Sequence, residues 1–276
     1  MQALEVPLKA PSAILLTALL TPALHSQQTQ APAANEADLQ PTPPVHNRDG
    51  GVSEVLESIY IPPLVNAPFT AIVHTEWTRP ICDGGTWTVV NKRRVARDSK
   101  GRIYEERWLL VPKNGSVKSQ NNVIQIADPN AHTLYNCFML QKPHRCILET
   151  FIEPAQTRYK PVNGTTGPLP DHMGFMTHED LGPRSIEGVD TRGTRDTTTY
   201  NAGVMGNDQP FSTHREFWHA GQLGVNLYSE VVNPSVGKQT FTLTDIALSE
   251  PDASFFELPE GFAVVDRRKP AADQPQ

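Results

Sequence analysis

The sequence predicts a mainly β protein built on a single large curved antiparallel sheet, half-barrel-like, with one or two short helices. Two observations lead to this fold class. From Phe69 onward, apolar and polar residues alternate with a period of two, as in strands that bury one face. Turn signals rich in Gly, Pro, Asn and Asp then divide the chain into about ten strand-length segments, and so many strands joined by short turns favour a sheet that curves or partly closes.

A short helix is predicted before the strands begin. Val52, Val55, Leu56 and Ile59 follow the spacing of one helical face, and the prolines at 62–63 end it. A single helical turn is predicted at 251–256, where Asp252 is a capping residue.

The strands are predicted from alternation and from the turns that bound them. They cover residues 69–77, 87–98, 102–111, 123–127, 134–138, 146–152, 184–188, 191–200, 211–220, 225–232 and 239–246. Residues 153–176 contain four prolines and interrupt the pattern, which predicts a long excursion over the surface.

The N-terminal region predicts an exported protein. Lys9 precedes an apolar run at 10–24, and Ser26 is a small residue at which a signal peptidase could cut. We therefore divide the chain into a signal peptide (1–26), a disordered tether rich in Pro, Gln and Ala (27–51), the antiparallel β domain (52–266) and a flexible tail (267–276). The apolar run is shorter than the roughly 20 residues of a spanning helix, so no transmembrane segment is predicted and the location is periplasmic or extracellular.

The three cysteines predict one disulfide. Cys137 and Cys146 have eight residues between them, and in an exported protein this spacing favours a bridge across a hairpin. Cys82 is then left over. The spacings do not match a zinc site.

Charge argues against a nucleic-acid partner. The formal net charge is −6 and the chain has no long basic block, so it lacks the cations that neutralise phosphates. The basic concentration at Lys92, Arg93, Arg94 and Arg97 would be split between two faces of a strand. Carboxylates on the next predicted strand favour a cross-strand charge network over an anion site.

Enzyme motifs with fixed spacing are missing from the sequence. It has no phosphate-binding loop, no nucleophile elbow and no zinc-protease motif. Ser235 and Lys238 match an acyl-serine enzyme pattern, but they fall between two strands, so a hairpin turn is predicted there. The densest group of potential ligands matches no metal template and is predicted to be solvated: His172, His178, Glu179 and Asp180. No catalytic residue, cofactor or metal ion is predicted.

Aromatic residues on the predicted strands are the candidate ligand-binding residues. Large aromatics in a sheet usually belong to the core, but several strands are apolar on both faces. Either helices cover the second face or it lines a cavity. The candidate lining residues for an apolar ligand are Trp77, Tyr104, Trp108 and Phe217.

Several segments carry a resemblance to a known family. Residues 55–63, 67–69, 95–102, 186–190, 202–207, 216–218, 250–252 and 256–259 resemble a family of exported bacterial proteins common in acidobacteria. This resemblance implies no activity and transfers no catalytic residue. More distantly, the long strands, the N-terminal helix and the hairpin at 187–190 are similar to the half-barrel of periplasmic lipoprotein carriers, which implies a fold and no more.

Three functions remain open from the sequence. The leading hypothesis is an exported non-enzymatic protein whose curved sheet holds an apolar ligand, either an acyl chain or a lipoprotein segment. The first alternative is a cell-envelope interaction protein without a small-molecule site, which would use the tether for reach. The second is a hydrolase of unknown type that would use carboxylates or the group at 172–179. No oligomeric state is predicted.

Overall fold

The computed structural model describes residues 59–153 and 165–268, which belong to one compact unit at 53–276. These residues form one curved, unclosed sheet of fourteen strands. The strands are β1 (Phe69–Pro80), β2 (Thr86–Arg97), β3 (Ile103–Trp108), β4 (Val111–Pro112), β5 (Asn121–Asp128), β6 (Thr133–Phe138), β7 (Arg145–Thr150), β8 (Gly167–Pro168), β9 (Gly174–Ile186), β10 (Val189–Tyr200), β11 (Phe211–Ala220), β12 (Val225–Asn233), β13 (Gly237–Ala247) and β14 (Ala263–Asp266).

The strand order places the first long strand beside the last one. It runs β14-β7-β6-β5-β3-β2-β1-β13-β12-β11-β10-β9-β8, with β4 paired to β2. Most neighbours are consecutive in sequence and antiparallel, because short turns can join only antiparallel strands. The pairing of β1 with β13 joins the two halves of the meander into one sheet.

The predicted fold class is confirmed, with two corrections. β14 was not predicted, and it pairs parallel with β7, so the sheet is mixed rather than purely antiparallel. β9 begins at Gly174, inside the region predicted as a surface excursion. Its side chains are exposed or half-buried along the whole strand, so the hydrophobic alternation that would reveal it is weak.

Helical structure in the described ranges consists of two 3-10 turns, Pro170–His172 and Ala253–Phe256. The second is the predicted turn, and the Asp252 carboxylate accepts a hydrogen bond from the Ser254 amide at 2.9 Å. The predicted helix at 52–60 lies mostly outside the described residues, and Ile59 and Tyr60 are not helical. The predicted signal peptide, the predicted tether and most of the predicted tail also lie outside the described residues. No helix among the described residues has the length and hydropathy needed to cross a membrane.

The two faces of the sheet differ in what covers them. One face, here the core face, carries Phe69, Val73 and Phe241, which are buried in a cluster completed by Ile61 and Leu223. The opposite face, here the cavity face, carries Ile72, His74 and Thr242. Because side chains alternate along a strand, these two sets come from the same strands.

Part of the cavity face has a small core of its own. Ala96, Tyr104 and Ile126 are buried there, and Phe255 and Phe256 of the second 3-10 turn pack against them. The Tyr104 and Phe255 rings meet edge to face with their centroids 4.9 Å apart. This turn therefore covers one end of the cavity face and leaves the middle open.

The predicted disulfide is confirmed. Cys137 on β6 and Cys146 on β7 are directly opposite each other in the antiparallel register, with Cα atoms 3.9 Å apart, and their sulfurs are bonded. Cys82 lies in the turn between β1 and β2 and is an exposed free thiol.

A buried arginine fixes the chain that leads into β1. The guanidinium of Arg97 is fully buried and donates to the carbonyl oxygens of Ala67, Pro62 and Leu223 at 2.8–3.0 Å. It also lies over the Phe69 ring at 5.0 Å. Burial lowers the pKa of Arg97 to about 10. The basic cluster was predicted to pair with carboxylates across the ladder, and for Arg97 that was wrong, because its partners are backbone carbonyls brought in from distant segments.

Candidate functional site

The cavity face holds an open cavity of about 880 Å³. Its lining runs across five neighbouring strands, from β3 through β2, β1 and β13 to β12. At about 4.8 Å between adjacent strands, the four steps from β3 to β12 make the cavity roughly 19 Å long. The site is therefore an elongated trough that crosses the strands.

Strand register brings the lining side chains together. On β1 and β2, Ile72 is opposite Arg94, His74 opposite Lys92, and Glu76 opposite Val90. The far side of the trough is hydroxyl-rich and carries Thr240 and Thr242 of β13 and Tyr228 of β12.

Apolar contact surface is concentrated at the β3 end. Val90 is paired with Val111 of β4, and Trp108 lies half-buried beside them. Asn91 holds this corner in place, since its side-chain amide donates to the Trp108 carbonyl at 2.8 Å. Ile72 adds an apolar side chain further along the trough.

Three of the cations that line the cavity are bound to carboxylates. Lys113 lies 2.7 Å from Glu76, Lys238 lies 2.7 Å from Glu230, and Arg94 donates to Glu106 at 2.8 Å. Lys92 also lines the cavity and is exposed to solvent, and it forms no ion pair within the described part of the chain. Lys92 thus gives the trough a positive charge that no neighbouring carboxylate neutralises.

Glu106 organises the β3 end of the site. Its buried carboxylate accepts hydrogen bonds from the Tyr104 hydroxyl at 2.9 Å, the Trp108 indole at 2.7 Å, and the backbone and side chain of Arg94. Burial acts to raise the pKa of Glu106, but these donors outweigh burial and hold the pKa below its usual range. Burial and the nearby carboxylate also raise the pKa of Tyr104. Glu106 therefore stays ionised and fixes the position of Trp108.

His74 lies at the centre of the trough. Its Nε2 is 2.9 Å from the Thr244 hydroxyl. Burial, and then the positive charge of Lys92, lower the pKa of His74, while Asp245 acts in the opposite direction. The imidazole is accordingly neutral near pH 7 and does not add to the charge of Lys92.

The four aromatic residues predicted as lining do not share one face. Trp108 lines the cavity, whereas Tyr104 lies on the same face beneath Phe255. Trp77 is on the core face, where its indole donates to the Val236 carbonyl at 2.8 Å. The register pairs Phe217 with Ser229 and Ser229 with Phe241, so Phe217 also lies on the core face.

Three of the four predicted potential ligands are engaged by β10 across the sheet, and the fourth, His172, lies in the 3-10 turn before β9. His178 bonds Asp196 at 2.6 Å, Glu179 pairs with Arg195, and Asp180 pairs with Arg192. Among the described residues, no three His, Cys, Asp or Glu side chains converge on a point that could hold a metal ion.

The segment at 235–238 forms the hairpin turn that was predicted. The Asn233 side chain accepts hydrogen bonds from the amide and hydroxyl of Ser235, and Lys238 turns toward Glu230. Ser235 and Lys238 therefore do not form a nucleophile and base pair.

The sequence missed most of the cavity lining. Ile72, His74 and Glu76 are alternate residues of the strand predicted at 69–77, but nothing in the sequence showed that β13 would lie beside it. The two strands are far apart in the chain, and their pairing depends on the whole sheet. The sequence did contain one usable signal, namely the charged and hydroxyl side chains at alternate positions of these strands, which mark the face that the core does not cover.

Three solved structures show some likeness to this chain. The complex of MucA and MucB from Pseudomonas aeruginosa has 14% identity and a TM-score of 0.36 over 72% of this chain and 58% of the matched chain. The lipoprotein LppX from Mycobacterium tuberculosis has 9% identity and a TM-score of 0.28, covering 67% and 91%. A LolA superfamily protein from Nitrosomonas europaea has 8% identity and a TM-score of 0.27, covering 70% and 90%.

Each of these likenesses is weak, with a TM-score of 0.36 or lower. This chain spans less than two thirds of the MucB-type chain that it matches. At these TM-scores the backbones diverge over much of their length, so the likeness assigns no ligand or partner to this chain. No protein-family model and no curated protein matches the chain, and its membership of an exported bacterial family stays a prediction.

Proposed function

We propose that this protein is an exported, non-enzymatic binding protein whose trough on the cavity face holds the apolar chain of an amphiphile, such as an acyl chain or the lipid of a lipoprotein. The trough itself is the observation that carries this proposal. Its volume of about 880 Å³ lies in the range of small-molecule sites, and its length suits an extended chain.

The apolar end of the trough supplies the contact surface. The indole N–H of Trp108 is hydrogen-bonded to Glu106. The rest of the ring can therefore pack against a ligand beside Val90 and Val111. A ring fixed before binding loses little conformational entropy when a ligand arrives. The paired histidine and carboxylates of β9 and β10 favour a binding role over the hydrolase alternative.

Tryptophan fluorescence tests the location of the site. We expect a neutral chain, 1-hexadecanol, to shift the emission of the delipidated wild-type protein. The shift should persist in Trp87→Phe, because Trp87 lies on the core face beside Trp77. It should be largely lost in Trp108→Phe. A shift that survives unchanged in Trp108→Phe would place the ligand elsewhere.

Filling the trough provides a second test. Thr242→Trp places a large ring in the middle of the cavity and should weaken hexadecanol binding at least about tenfold. Thr198→Trp on β10 is the matched control, because Thr198 does not line the cavity, and it should bind as the wild type does. Equal binding by both variants would contradict the proposal.

A further inference from the structure

We infer that the trough selects amphiphiles with an anionic oxygen headgroup, a carboxylate or a phosphate, and that Lys92 is the residue that binds this headgroup. The inference rests on the proposed function and specifies the ligand class of the same site. It depends on the charges of the trough rather than on its apolar surface.

Lys92 differs from the other cations of the trough because it is exposed and forms no ion pair among the described residues, whereas Arg93 is buried. Arg94, Lys113 and Lys238 are each bound to a carboxylate at 2.7–2.8 Å, so a ligand would have to displace that partner to reach them. Lys92 has no such partner among the described residues and still lines the cavity. A primary ammonium with its donors free forms strong charge-assisted hydrogen bonds to carboxylate and phosphate oxygens.

The position of Lys92 places the headgroup beside the polar half of the trough. Lys92 is directly opposite His74, and His74 is opposite Thr242 on β13. The hydroxyl of Thr242 and the imidazole of His74 border the site at which an anion would contact Lys92. Val90 lies two residues before Lys92 on β2, and Trp108 lies on β3, the next strand, so one amphiphile can contact the ammonium and the apolar end of the trough at once.

The charge of the trough contrasts with that of the whole protein. The full chain has a formal net charge of −6, yet within the trough the unpaired charge is positive. A net negative protein repels anions over most of its surface. An anionic headgroup is therefore more favourable beside Lys92 in the trough than elsewhere on the protein.

Three ligands with the same chain length separate the headgroup from the chain: hexadecanoate, hexadecyl phosphate and 1-hexadecanol. Calorimetric titration of the delipidated protein should show both anions binding about five- to tenfold more tightly than the alcohol. Lys92→Gln should remove this advantage, so that the three ligands bind the variant with similar affinities. Lys100→Gln, which changes an exposed lysine in the β2–β3 turn, should keep the advantage.

The outcomes distinguish the two proposals. If all three ligands bind equally well and Lys92→Gln has no effect, the headgroup inference is overturned while the apolar trough stands. If none of the three binds, the proposed function fails and the inference fails with it. A larger effect of Lys92→Gln on hexadecyl phosphate than on hexadecanoate would support the inference and assign the headgroup to phosphate.

Discussion

Trp108 donates its indole N–H to the carboxylate of Glu106, two residues away on the same strand, at 2.7 Å. The same relationship recurs on two other strands at 2.6–2.7 Å, between Trp218 and Glu216 and between Tyr228 and Glu230. Residues two apart share one face of a strand, so each pair places an aromatic donor beside a carboxylate. A cation from a neighbouring strand completes each group. The cavity face is thus held together by polar contacts that keep large aromatic rings in fixed positions.

Removing the charge of Glu106 should destabilise the protein. Glu106→Gln is expected to lower the free energy of unfolding by about 2–3 kcal/mol, because the Arg94 side chain loses its buried countercharge and an amide cannot accept from all four donor groups. Urea unfolding measures this change. Glu149→Gln is the control, because this exposed carboxylate of β7 accepts one hydrogen bond from the Asn136 side chain, and the variant should cost less than about 1 kcal/mol.

The same variant predicts a change in acid stability. The pKa of Glu106 lies below its ordinary value of 4.5 in the folded protein, so its contribution to stability is complete above that value and is lost as the pH falls through the lowered pKa. The wild type should therefore lose stability more steeply than Glu106→Gln below pH 4.5. Parallel acid-unfolding curves for the two proteins would contradict this assignment.

Arg97 should be one of the most sensitive positions in the chain. Arg97→Met leaves the carbonyl oxygens of Ala67, Pro62 and Leu223 buried without donors, and we expect a loss of at least about 3 kcal/mol. Arg97→Lys keeps the charge but not the planar guanidinium with its several donors. The stability of this variant should therefore lie between those of the wild type and Arg97→Met. Amide exchange near residues 62–67 should rise in both variants. Arg107→Met, at a half-exposed arginine of β3, should cost less than about 1 kcal/mol.

Gly193 allows Trp218 to lie against the backbone of β10. An added Cβ would stand 2.9 Å from three atoms of the indole ring. The ring is rigid, so it cannot relieve this contact by moving a single terminal atom, as a flexible side chain could. Gly193→Ala should cost about 1–3 kcal/mol and change the Trp218 emission. Gly221→Ala is the control, since neither glycine has a positive φ and nothing lies within 4 Å of a Cβ at 221. That variant should be neutral or slightly stabilising.

How far the sequence predicts this fold depends on whether the signal is local. Alternation from Phe69 onward predicted β1, and the spacing of Cys137 and Cys146 predicted the disulfide, because both signals lie within a short stretch of chain. β14 escaped prediction because its four residues are exposed and carry no alternation. Its parallel pairing with β7 is a contact between distant segments that local patterns do not record.

The site was harder to predict for the same reason. Arg97 belongs to a basic cluster in which Lys92 and Arg94 are exposed, and only the fold shows that residues 62–67 return to its guanidinium. Trp77 and Trp108 look alike in sequence, yet they lie on opposite faces because β1 and β3 present different alternate positions. Which face of a sheet keeps a cavity is decided by what packs on it, here Ile61 and Leu223 on one side and Phe255 on the other.

His74 should titrate below its ordinary pKa of 6.5, because burial and then Lys92 disfavour the charged imidazole. In NMR titrations, Lys92→Gln should raise the pKa of His74 part of the way to 6.5, since burial remains, and Asp245→Asn should lower it further. Between the lowered pKa and 6.5 the unfolded chain binds more protons, so stability should fall with falling pH and this slope should vanish in His74→Asn. A pKa of His74 that does not respond to Lys92→Gln would mean that the two groups do not interact.

The three cysteines should give a simple labelling pattern. Without reductant, the native protein should take up one alkyl group, at the exposed Cys82, and three after reduction in denaturant. Loss of the bridge in the Cys137→Ala, Cys146→Ala double variant should cost roughly 2–3 kcal/mol, the range expected for closing so short a loop. Cys82→Ser is the control and should keep the wild-type stability while taking up no label in the native state. Intact mass of the protein purified from its host would show the bridge as two missing hydrogens, and a fully reduced mass would mean that the protein matures in a reducing compartment and is not exported.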